Sequence, residues 1–544
     1  MKDAISRRNL IKGAAAATAA AGLASVAKAD EAPDIEWGLE ADIVVLGTGG
    51  AGLTTAITAA RAGADVLVLE KACEEDQGGN TRVSGNMWCI PTDLEEGLKY
   101  YLKASERTSD NEYLTALATA AHTINEDFIG DLEGANIIEF PMFSPEYDSL
   151  PGGDAIQSYM MGFGGNKLWI CQRETAAQYD NIRFMYETPG IRLITDTKGM
   201  ILGVVALVDG VETNVKAKKA VVLATGGYEY NPLMVENSYP GWPVYSRGTP
   251  YNTGDGIKMA QKVGAQLWHM NASDSGPAAM LCPGIDFGHG AYDSDRVPAN
   301  FSYTSASARS AGFIYVDKHG KRFMPENRPD HHGYGRREYI FFYDGVKCEW
   351  PRLPLWCIFD EQQAQAGPCA SAPATEDTTD GFTWFYAHSH YVWSADNSAE
   401  VEKGWIVKAD TIEELAAKMN EMPDGEGKMD AETLQATIEN YNAMCEAGED
   451  TEFGRPADSM RPLVGPFYAV PVYPNQYNTQ GGPKRNTKAQ TLDAFDEPIP
   501  RLYNVGECGA GYGWVYNGGW NNCESMISGI WAATDAMTLE DWDA

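Results

Sequence analysis

The stretch Asp42-Ile-Val-Val-Leu46, followed at once by Gly47-Thr-Gly-Gly-Ala-Gly52, decides the fold. Its first five residues are the short apolar run of a buried parallel strand, and the Ala-rich segment 53–62 after the glycines is typical of a helix. Gly47, Gly49 and Gly52 stand where a β-α-β unit needs a tight turn, a close approach to a pyrophosphate and close helix packing. The spacing predicts a dinucleotide at the helix N-terminus, with Gly50 and Ala51 in the same turn.

A second strand pattern, Asp65-Val-Leu-Val-Leu69, ends in Glu70, eighteen residues beyond Gly52. An acidic side chain at this point of a β-α-β unit accepts hydrogen bonds from the ribose hydroxyls of a dinucleotide. We therefore expect Glu70, with its neighbour Lys71, to contact the cofactor.

Three further segments favour FAD over NAD. The loop 78–86 is rich in glycine and hydroxyl groups, the strands predicted at 206–209 and 219–223 lead into Ala224-Thr-Gly-Gly227, and 500–505 leads into a second glycine-rich run. Cofactor-like segments so far apart suit the long, extended FAD. The sequence thus predicts an α/β protein with a Rossmann-like FAD-binding domain, whose further FAD-binding residues are Asn80, Thr81, Ser84, Gly85, Thr225, Gly226, Gly506 and Glu507.

From about residue 40 to 544 the chain resembles the flavoprotein subunit family of fumarate reductase and succinate dehydrogenase, particularly its soluble exported fumarate reductases and the related 3-ketosteroid dehydrogenases. The motifs that carry the resemblance are G-T-G-G-A-G-L at 47–53, G-G-N-T at 78–81, A-T-G-G at 224–227, D-K-H-G-K-R-F-M-P-E at 317–326 and L-Y-N-V-G-E-C at 502–508. The resemblance implies that Asn521, Asn522, Ser525 and Met526 hold the flavin pyrimidine. Asn80 replaces the histidine that links to FAD in membrane-complex members, which implies non-covalent FAD.

The resemblance also implies an α+β capping domain inserted into the FAD-binding domain. The predicted organisation is a signal peptide at 1–29, a first FAD-binding part at 30–295, a capping and substrate domain at 296–474, and a second FAD-binding part at 475–544. Within the cap, the polar stretches Thr375–Asp380 and Glu421–Asp430 indicate loops, and Ala431–Glu446 has the pattern of an amphipathic helix.

Reduction of a C=C bond next to a carbonyl needs a hydride from reduced flavin, a donor that polarises the carbonyl, and an acid that protonates the other carbon. The resemblance implies an arginine acid shortly after the G-K-R-F motif. Arg328 is our first candidate, with Asp330 or Glu326 as a proton relay. The ketosteroid branch makes Tyr334 its rival, and the alternative for Arg328 is a surface or structural ion pair.

Two departures from the fumarate reductases point to the substrate. Where that branch has H-H-T-M-G-G this chain has Tyr477-Asn-Thr-Gln-Gly-Gly482, and Tyr516 stands in place of the arginine of N-R-L-G-G-N. A dicarboxylate buried without these cationic anchors loses several kcal/mol. We therefore expect a larger, less charged substrate: an enone, an unsaturated lactone, a steroid-like ring or an aryl acrylate, as in the cardiac glycoside reductases of this wider group. Tyr516 would help bind the carbonyl, and Trp514, Trp520 and Tyr512 either line an apolar site or pack beneath the flavin.

Charge and the N-terminal segment constrain location and partners. The chain has 42 Lys and Arg against 76 Asp and Glu, a formal net charge of −34, which excludes sequence-independent nucleic-acid binding. Ser6-Arg-Arg-Asn-Leu-Ile-Lys12, an apolar run at 13–26 and Ala27-Lys-Ala29 predict a twin-arginine signal with mature Asp30. The alternative, a transmembrane anchor, needs about 20 apolar residues. We expect a protein in the periplasm or on the outer face of the membrane.

The ten cysteines are scattered without any C-x-x-C spacing, so no metal site is predicted; an iron–sulfur cluster built from distant cysteines stays an alternative to buried thiols. The chain carries neither a haem motif nor an evident nicotinamide site, which predicts an external electron donor such as a membrane-associated cytochrome. The leading hypothesis is an FAD-dependent reductase of a small unsaturated substrate. The alternatives are a 3-ketosteroid-type dehydrogenase, a fumarate reductase and a non-catalytic flavin electron carrier.

Overall fold

A computed structural model describes residues 35–106, 108–141, 144–162, 166–246, 248–283, 296–300, 312–326, 338–369, 393–513 and 515–543, without side chains at 274–300 and Asn475. In these ranges no helix is both long and apolar enough to cross a bilayer. Residues Trp37–Ala544 form one unit by their contacts. The segment 1–29, which is predicted to be a twin-arginine signal, lies outside the described residues.

The strands are, in chain order, β1 (Leu39–Leu46), β2 (Val66–Leu69), β3 (Met87–Pro91), β4 (Ile137–Glu139), β5 (Ile156–Met161), β6 (Ile182–Met185), β7 (Gly190–Thr195), β8 (Ile201–Val208), β9 (Val211–Leu223), β10 (Tyr245–Ser246), β11 (Leu267–Trp268), β12 (Ser273–Pro283), β13 (Arg296–Asn300), β14 (Phe313–Val316), β15 (Leu355–Asp360), β16 (Val407–Ala409), β17 (Phe467–Thr479), β18 (Gly482–Pro483), β19 (Gln490–Leu492) and β20 (Pro498–Asn504).

The helices are α1 (Gly50–Arg61), α2 (Gly79–Arg82), α3 (Leu94–Ala104), α4 (Asn111–Asp127), α5 (Lys167–Ala176), α6 (Pro232–Ser238), α7 (Asp255–Lys262), α8 (Glu361–Gln365), α9 (Ser398–Glu402), α10 (Ile412–Glu421), α11 (Ala431–Ala447) and α12 (Trp520–Ala536). Short 3₁₀ turns occupy Glu74–Asp76, Ile129–Asp131, Gly153–Ala155 and Ala457–Ser459.

The predicted strands 42–46 and 65–69 form the centre of an eight-stranded sheet with the order β19-β20-β9-β1-β2-β6, to which β8 and β7 add beside β9. The run β20-β9-β1-β2-β6 is parallel throughout. Ile43 and Val45 contribute to one apolar core and Val44 and Leu46 to another, because successive side chains of a strand point to opposite faces. Apolar cores on both faces explain the continuous Val, Ile and Leu runs of β1 and β2.

The local predictions agree with the structure. The strands predicted at 206–209 and 219–223 lie in β8 and β9, apart from Asp209, and the helix predicted at 53–62 is α1, which already begins at Gly50. The predicted helix Ala431–Glu446 is α11, which begins where the carboxylate of Asp430 accepts the N–H of Thr433. It ends before Gly448, whose φ of +71° is typical of a helix C-terminus.

A second, seven-stranded sheet has the order β13-β12-β17-β15-β14, with β10 and β16 also paired to β17. It contains strands from both sides of each predicted domain boundary, because β12 precedes residue 296 and β17 runs through 474/475. The division into FAD-binding and capping parts stays a prediction. The loop predicted at Thr375–Asp380 lies outside the described residues.

Candidate cofactor site

The glycine-rich turn after β1 has the conformation that the motif predicts. Gly47 has a φ of +110°, and a Cβ atom there would overlap the carbonyl oxygen of Ala224. A Cβ atom on Gly52 would overlap the carbonyl oxygen of Gly47, so the protein's own packing requires both glycines. Gly49 differs, because its φ is −65° and a Cβ atom there would meet only the carbonyl oxygen of Gly78, at 3.7 Å. The space in front of Gly49 is therefore available to a bound group.

Two long helices begin beside this turn with N-termini suited to anionic groups. Neither α1 nor α12 has a side-chain cap or an acidic residue in its first turn. Gly506 joins the two helices, since a Cβ atom there would lie 2.9 Å from the Cβ of Ala51. Within the described residues, the buried Oδ1 of Asn521 has no hydrogen-bond partner. Open helix N-termini and an unpaired buried amide oxygen fit the pyrophosphate and the polar ring edge of FAD.

Glu70 connects the turn to the loop at 78–81. Its Oε2 accepts hydrogen bonds from the N–H (2.9 Å) and the hydroxyl (2.6 Å) of Thr48, and its Oε1 accepts the N–H of Ala72 (2.9 Å). The Thr48 hydroxyl oxygen also accepts the N–H of Gly78, at 3.1 Å. Glu70 is thus buried at the end of β2 as predicted, and its contact with ribose stays a prediction.

Lys71 has a protein partner in the structure. Its Nζ lies 2.8 Å from a carboxylate oxygen of Asp255 and 2.7 Å from the hydroxyl of Thr253. The Lys71 side chain therefore ties the end of β2 to α7. The contact of Lys71 with the cofactor stays a prediction.

The loop that contains Thr81, Ser84 and Gly85 is fixed to both helix N-termini. The Thr81 hydroxyl oxygen accepts the N–H of Gly50 at 3.0 Å. The side-chain amide of Asn522 donates to the Ser84 hydroxyl at 3.2 Å and to the carbonyl of Met87 at 2.8 Å. Asn522 therefore holds this loop against α12 through its side chain.

Asn80 lies at the centre of a partly buried polar cluster. Its Nδ2 donates to a carboxylate oxygen of Glu229 and to one of Glu507, both at 2.8 Å, and its Oδ1 accepts the N–H of Thr249 at 2.9 Å. Glu507 in turn accepts a hydrogen bond of 3.2 Å from the Nδ2 of Asn521. Three of the predicted cofactor segments therefore meet at the Asn80 side chain.

The remaining predicted FAD-binding residues contact other parts of the protein. The Thr225 hydroxyl contacts the sulfur of Cys508 at 3.5 Å, and Gly226, with a φ of +67°, packs against the side chain of Asn252. The Ser525 hydroxyl donates to a carbonyl within α12, and Met526 lies in the apolar core. Contacts of Ser525 and Met526 with the flavin stay predictions.

Tyr516 is buried in a loop that is fixed from both sides. Its hydroxyl oxygen accepts the N–H of Gly519 at 3.1 Å, and its carbonyl accepts the hydroxyl of Tyr147 at 2.9 Å. The carboxylate of Glu146 accepts the N–H of Gly518 at 2.7 Å. The ring is therefore held in one place, as a group that binds a carbonyl must be. Its catalytic role stays a prediction.

The aromatic residues near this loop pack in the core. Tyr512 and Trp520 are fully buried and stacked, with ring centroids 4.4 Å apart, and Tyr101 contacts Trp520 at 4.7 Å. Of the two expectations for Tyr512 and Trp520, packing is the one observed. Trp514 lies outside the described residues.

The candidate acids Arg328 and Tyr334 also lie outside the described residues, so the structure does not test them. The segment before them is firmly anchored at Glu326. Its carboxylate is bound by Arg322, at 2.8 Å through both Nε and Nη2, and by Arg455 at 3.0 Å. Because Glu326 is fully buried in this ion-pair network, it is a structural anchor in this conformation.

Glu229 and Glu146 are two residues near the predicted site that were not predicted from the sequence. Glu229 stands two residues after the A-T-G-G motif, between Tyr228 and Tyr230, and an acid inside such a stretch is a signal that could have been noticed. Glu146 belongs to no recognisable sequence motif, because its contact with the Tyr516 loop forms only in the folded chain. Among the described residues no three His, Cys, Asp or Glu side chains form a metal-binding group, and the described cysteines are free thiols.

The sequence profile of the FAD binding domain family matches residues 42–522. The chain belongs to this family. It is an FAD-dependent oxidoreductase, and the FAD predicted from the separated glycine motifs is confirmed. The described residues that would hold FAD are the 47–52 turn, Glu70, the 78–85 loop, Gly506, Glu507 and the first turn of α12.

Three characterised relatives extend the comparison. The flavoprotein is 27% identical to vinyl phenol reductase of Lactiplantibacillus plantarum over 86% of its own length and 90% of the relative's. It is 26% identical to digoxin reductase of Eggerthella lenta over 99% and 98% of the two chains. It is 25% identical to the fumarate reductase (cytochrome) of Shewanella frigidimarina over 86% and 72%. The predicted resemblance to this group is confirmed.

The fold resembles that of a crystal structure of 3-ketosteroid Δ1-dehydrogenase from Sterolibacterium denitrificans. The TM-score is 0.71 and the identity 21%, with 92% of this chain and 99% of the other covered. The predicted fold class, an α/β flavoprotein of the fumarate reductase and ketosteroid dehydrogenase type, is confirmed.

Proposed function

We propose that this flavoprotein reduces an activated C=C bond in a neutral or weakly charged substrate: an enone, an unsaturated lactone, a steroid-like ring or an aryl-substituted alkene. The proposal rests on the absence of charge in the segment 478–480. Asn478, Thr479 and Gln480 are all buried there, and each presents a neutral polar group. A dicarboxylate in contact with this segment would receive no positive charge from it.

The relatives support the same class of reaction. Their names describe the reduction of a vinyl phenol and of digoxin, both larger than fumarate. The alternative function is ordinary fumarate reduction, and one of the relatives is a fumarate reductase. The neutral segment at 478–480 favours the first group for this chain.

The reaction divides into three tasks. Bound FAD supplies the hydride that goes to one carbon of the double bond. The residues of this chain orient the substrate, polarise its carbonyl and deliver a proton to the other carbon. We assign the carbonyl contact to Tyr516 and the proton to Arg328 or Tyr334. The product has gained two electrons and two protons, and the electrons come from an external donor.

We further propose that the donor is a membrane-associated cytochrome and that the protein is exported by the twin-arginine route. The name of the Shewanella relative couples fumarate reduction to a cytochrome, which supports a donor of this kind. The Ser6–Lys12 motif and the Ala27-Lys-Ala29 site support export. A donor outside the cytoplasmic membrane would then meet the folded, FAD-loaded enzyme.

The substrate proposal is tested by anaerobic reoxidation of the purified holoprotein. The bound FAD is reduced with reduced methyl viologen, and its reoxidation is followed with fumarate, an enone steroid, an unsaturated lactone, a cinnamate and a vinyl phenol. We expect rapid reoxidation by at least one neutral or aryl substrate and little by fumarate. Rapid reoxidation by fumarate would overturn the substrate class, and reoxidation by none of them would favour an electron carrier.

The same preparation tests the direction of catalysis. A 3-ketosteroid dehydrogenase would transfer electrons from a saturated ketosteroid to an artificial acceptor dye. We expect no dye reduction by the saturated compounds at a rate comparable with the reoxidation reaction. Faster dye reduction would make the dehydrogenase the better description.

A further inference from the structure

Two carboxylates, the buried Glu229 and the half-buried Glu507, lie beside the predicted flavin loop and have no role in the reaction described so far. Glu229 is 3% exposed, and its Oε1 accepts hydrogen bonds from Asn80 (2.8 Å) and Asn252 (2.7 Å). Its Oε2 contacts the hydroxyl of Thr479 at 3.2 Å. Glu507 accepts the second N–H of the same Asn80 amide, so the two carboxylates share one nitrogen.

Within the described residues, the hydrogen-bond donors to the Glu229 carboxylate are all neutral groups. Amide and hydroxyl donors stabilise a carboxylate but carry no charge, and a second carboxylate nearby opposes ionisation. Burial accordingly raises the pKa of Glu229 to about 7, with the hydrogen bonds from Asn252, Asn80 and Thr479 acting in the opposite direction. Glu229 is thus able to bind or release a proton near neutral pH.

Charged groups on the surrounding elements are engaged elsewhere or carry the same sign as Glu229. Glu507, on the loop after β20, is acidic. Asp255, at the end of the loop that contains Asn252, forms an ion pair with Lys71. Arg247, earlier on the same loop, lies outside the described residues. From α2, Arg82 donates to backbone carbonyls.

The strand that packs on Glu229, β17, adds only neutral groups. Gln476 donates to the carbonyl of Glu229, and Thr479 contacts its carboxylate. Tyr477 contributes its carbonyl oxygen to Asn80, at 3.4 Å. The described part of β17 therefore brings no positive charge to Glu229. Without such a charge, the carboxylate is neutralised by binding a proton.

The cluster is connected to the cofactor site by direct contacts. Asn80 belongs to the loop whose Thr81 binds the N–H of Gly50 at the start of α1. Glu507 is bound by Asn521 on the first turn of α12. The Asn80 side chain thus connects Glu229 to the segments that would hold FAD.

We propose that Glu229 is a positioning residue that takes up a proton when FAD is reduced and acts on the flavin through Asn80. The proposal rests on the proposed function only in requiring bound, reducible FAD. Reduction brings two electrons and one proton to the cofactor and leaves it with one additional negative charge. A second proton goes from solvent to the Glu229 carboxylate, and the electrons come from the external donor. The added charge would otherwise be repelled by the ionised Glu229 carboxylate.

The experiment counts protons per electron pair. The holoprotein is titrated at several pH values with an electrode and mediators, without any unsaturated substrate, and the slope of the midpoint potential against pH gives the count. Between pH 7 and 8.5 we expect close to two protons per electron pair in the wild type and close to one in Glu229→Gln. Equal counts in the two proteins would overturn the proposal.

The glutamine variant is matched to the site. Its amide oxygen can accept from Asn80 and Asn252, and its amide nitrogen can donate to Thr479, so only the titration is removed. Glu400→Gln is the control, because Glu400 is fully buried at the start of the α9 region, bonded to Ser394, away from the cofactor loops. The control should keep the wild-type count, and a count lowered equally by both variants would overturn the assignment to Glu229.

A measurement on the wild type alone covers the case in which Glu229→Gln does not fold. Reduced methyl viologen is added to weakly buffered holoprotein, and proton uptake is read with an indicator dye. A count of one at every pH from 7 to 8.5 would overturn the proposal. Because no substrate is present, this result is independent of the reoxidation experiment, and either proposal can fail while the other stands.

Discussion

At the residue scale, the glycines of the 47–52 turn serve two separable purposes. Gly52 is required by the protein's own packing, whereas Gly49 faces space that the protein does not fill. Gly49→Val should therefore lower FAD affinity about tenfold or more, which is about 1.4 kcal/mol, with little effect on the stability of the apoprotein. Gly52→Ala should destabilise the fold by about 1–3 kcal/mol.

Two measurements on each variant separate these effects: FAD content from the visible spectrum, and urea unfolding of the apoprotein. Apoprotein stability lowered as much by Gly49→Val as by Gly52→Ala would show that the space at Gly49 is part of the packing. Full FAD content in Gly49→Val would place the pyrophosphate elsewhere.

Tyr516 gives a second prediction at this scale. Tyr516→Phe removes the hydroxyl that accepts the Gly519 N–H but keeps the ring, which is buried. If the hydroxyl polarises the substrate carbonyl, the rate of flavin reoxidation by substrate should fall about 100-fold. FAD content and the rate of reduction by methyl viologen should stay unchanged. An unaltered reoxidation rate would remove Tyr516 from the catalytic residues.

At the element scale, one buried ion pair joins three parts of the FAD-binding region. Arg485 pairs with Glu524 of α12, donates to the hydroxyl of Tyr113 of α4 at 2.8 Å, and donates to the carbonyl of Gly506 at 2.9 Å. Glu524 also accepts the N–H of Gly511 at 2.6 Å. The pair therefore fixes the loop after β20 between two helices.

Breaking this pair on one side should be costly. Arg485→Met leaves the Glu524 carboxylate buried without its cation, and we expect a loss of about 3–5 kcal/mol in the free energy of unfolding. The double variant Arg485→Met, Glu524→Gln should lose less, because no unpaired charge remains. Urea unfolding of the two single variants and the double variant measures the coupling. Additive losses would contradict the assigned pair.

At the scale of the whole molecule, the predicted export signal makes a separate prediction. Arg7→Lys with Arg8→Lys should leave the protein in the cytoplasm with FAD bound, because the change affects transport and not the fold that begins at β1. The wild-type protein should be recovered outside the cytoplasm with Asp30 as its first residue. Cell fractionation and intact mass measure both. Export of the double variant at the wild-type level would exclude the twin-arginine route.

Features that depend on residues close together in the sequence were predicted, whereas contacts between residues far apart in the sequence were not. The strand, turn and helix at 42–62 and the helix at 431–446 were predicted because period, glycine position and cap residues are local signals. The first residue of α1 was misjudged by three positions, since its opening turn consists of the glycines themselves. Lys71 was predicted beside the cofactor on position alone, and its partner Asp255, 184 residues away, was not visible.

The sequence by itself determined the cofactor class, the central parallel sheet and the change from cationic to neutral residues at 477–482 and Tyr516. These features follow from residue types at fixed local spacings. Only the tertiary structure decided that Asn80 joins Glu229 and Glu507, which lie 149 and 427 residues away. It also decided that Tyr512 and Trp520 pack in the core and that Glu326 is an anchor. Burial and long-range hydrogen bonds set the proton affinity and the freedom of a side chain, and both exist only after the sheets and helices have assembled.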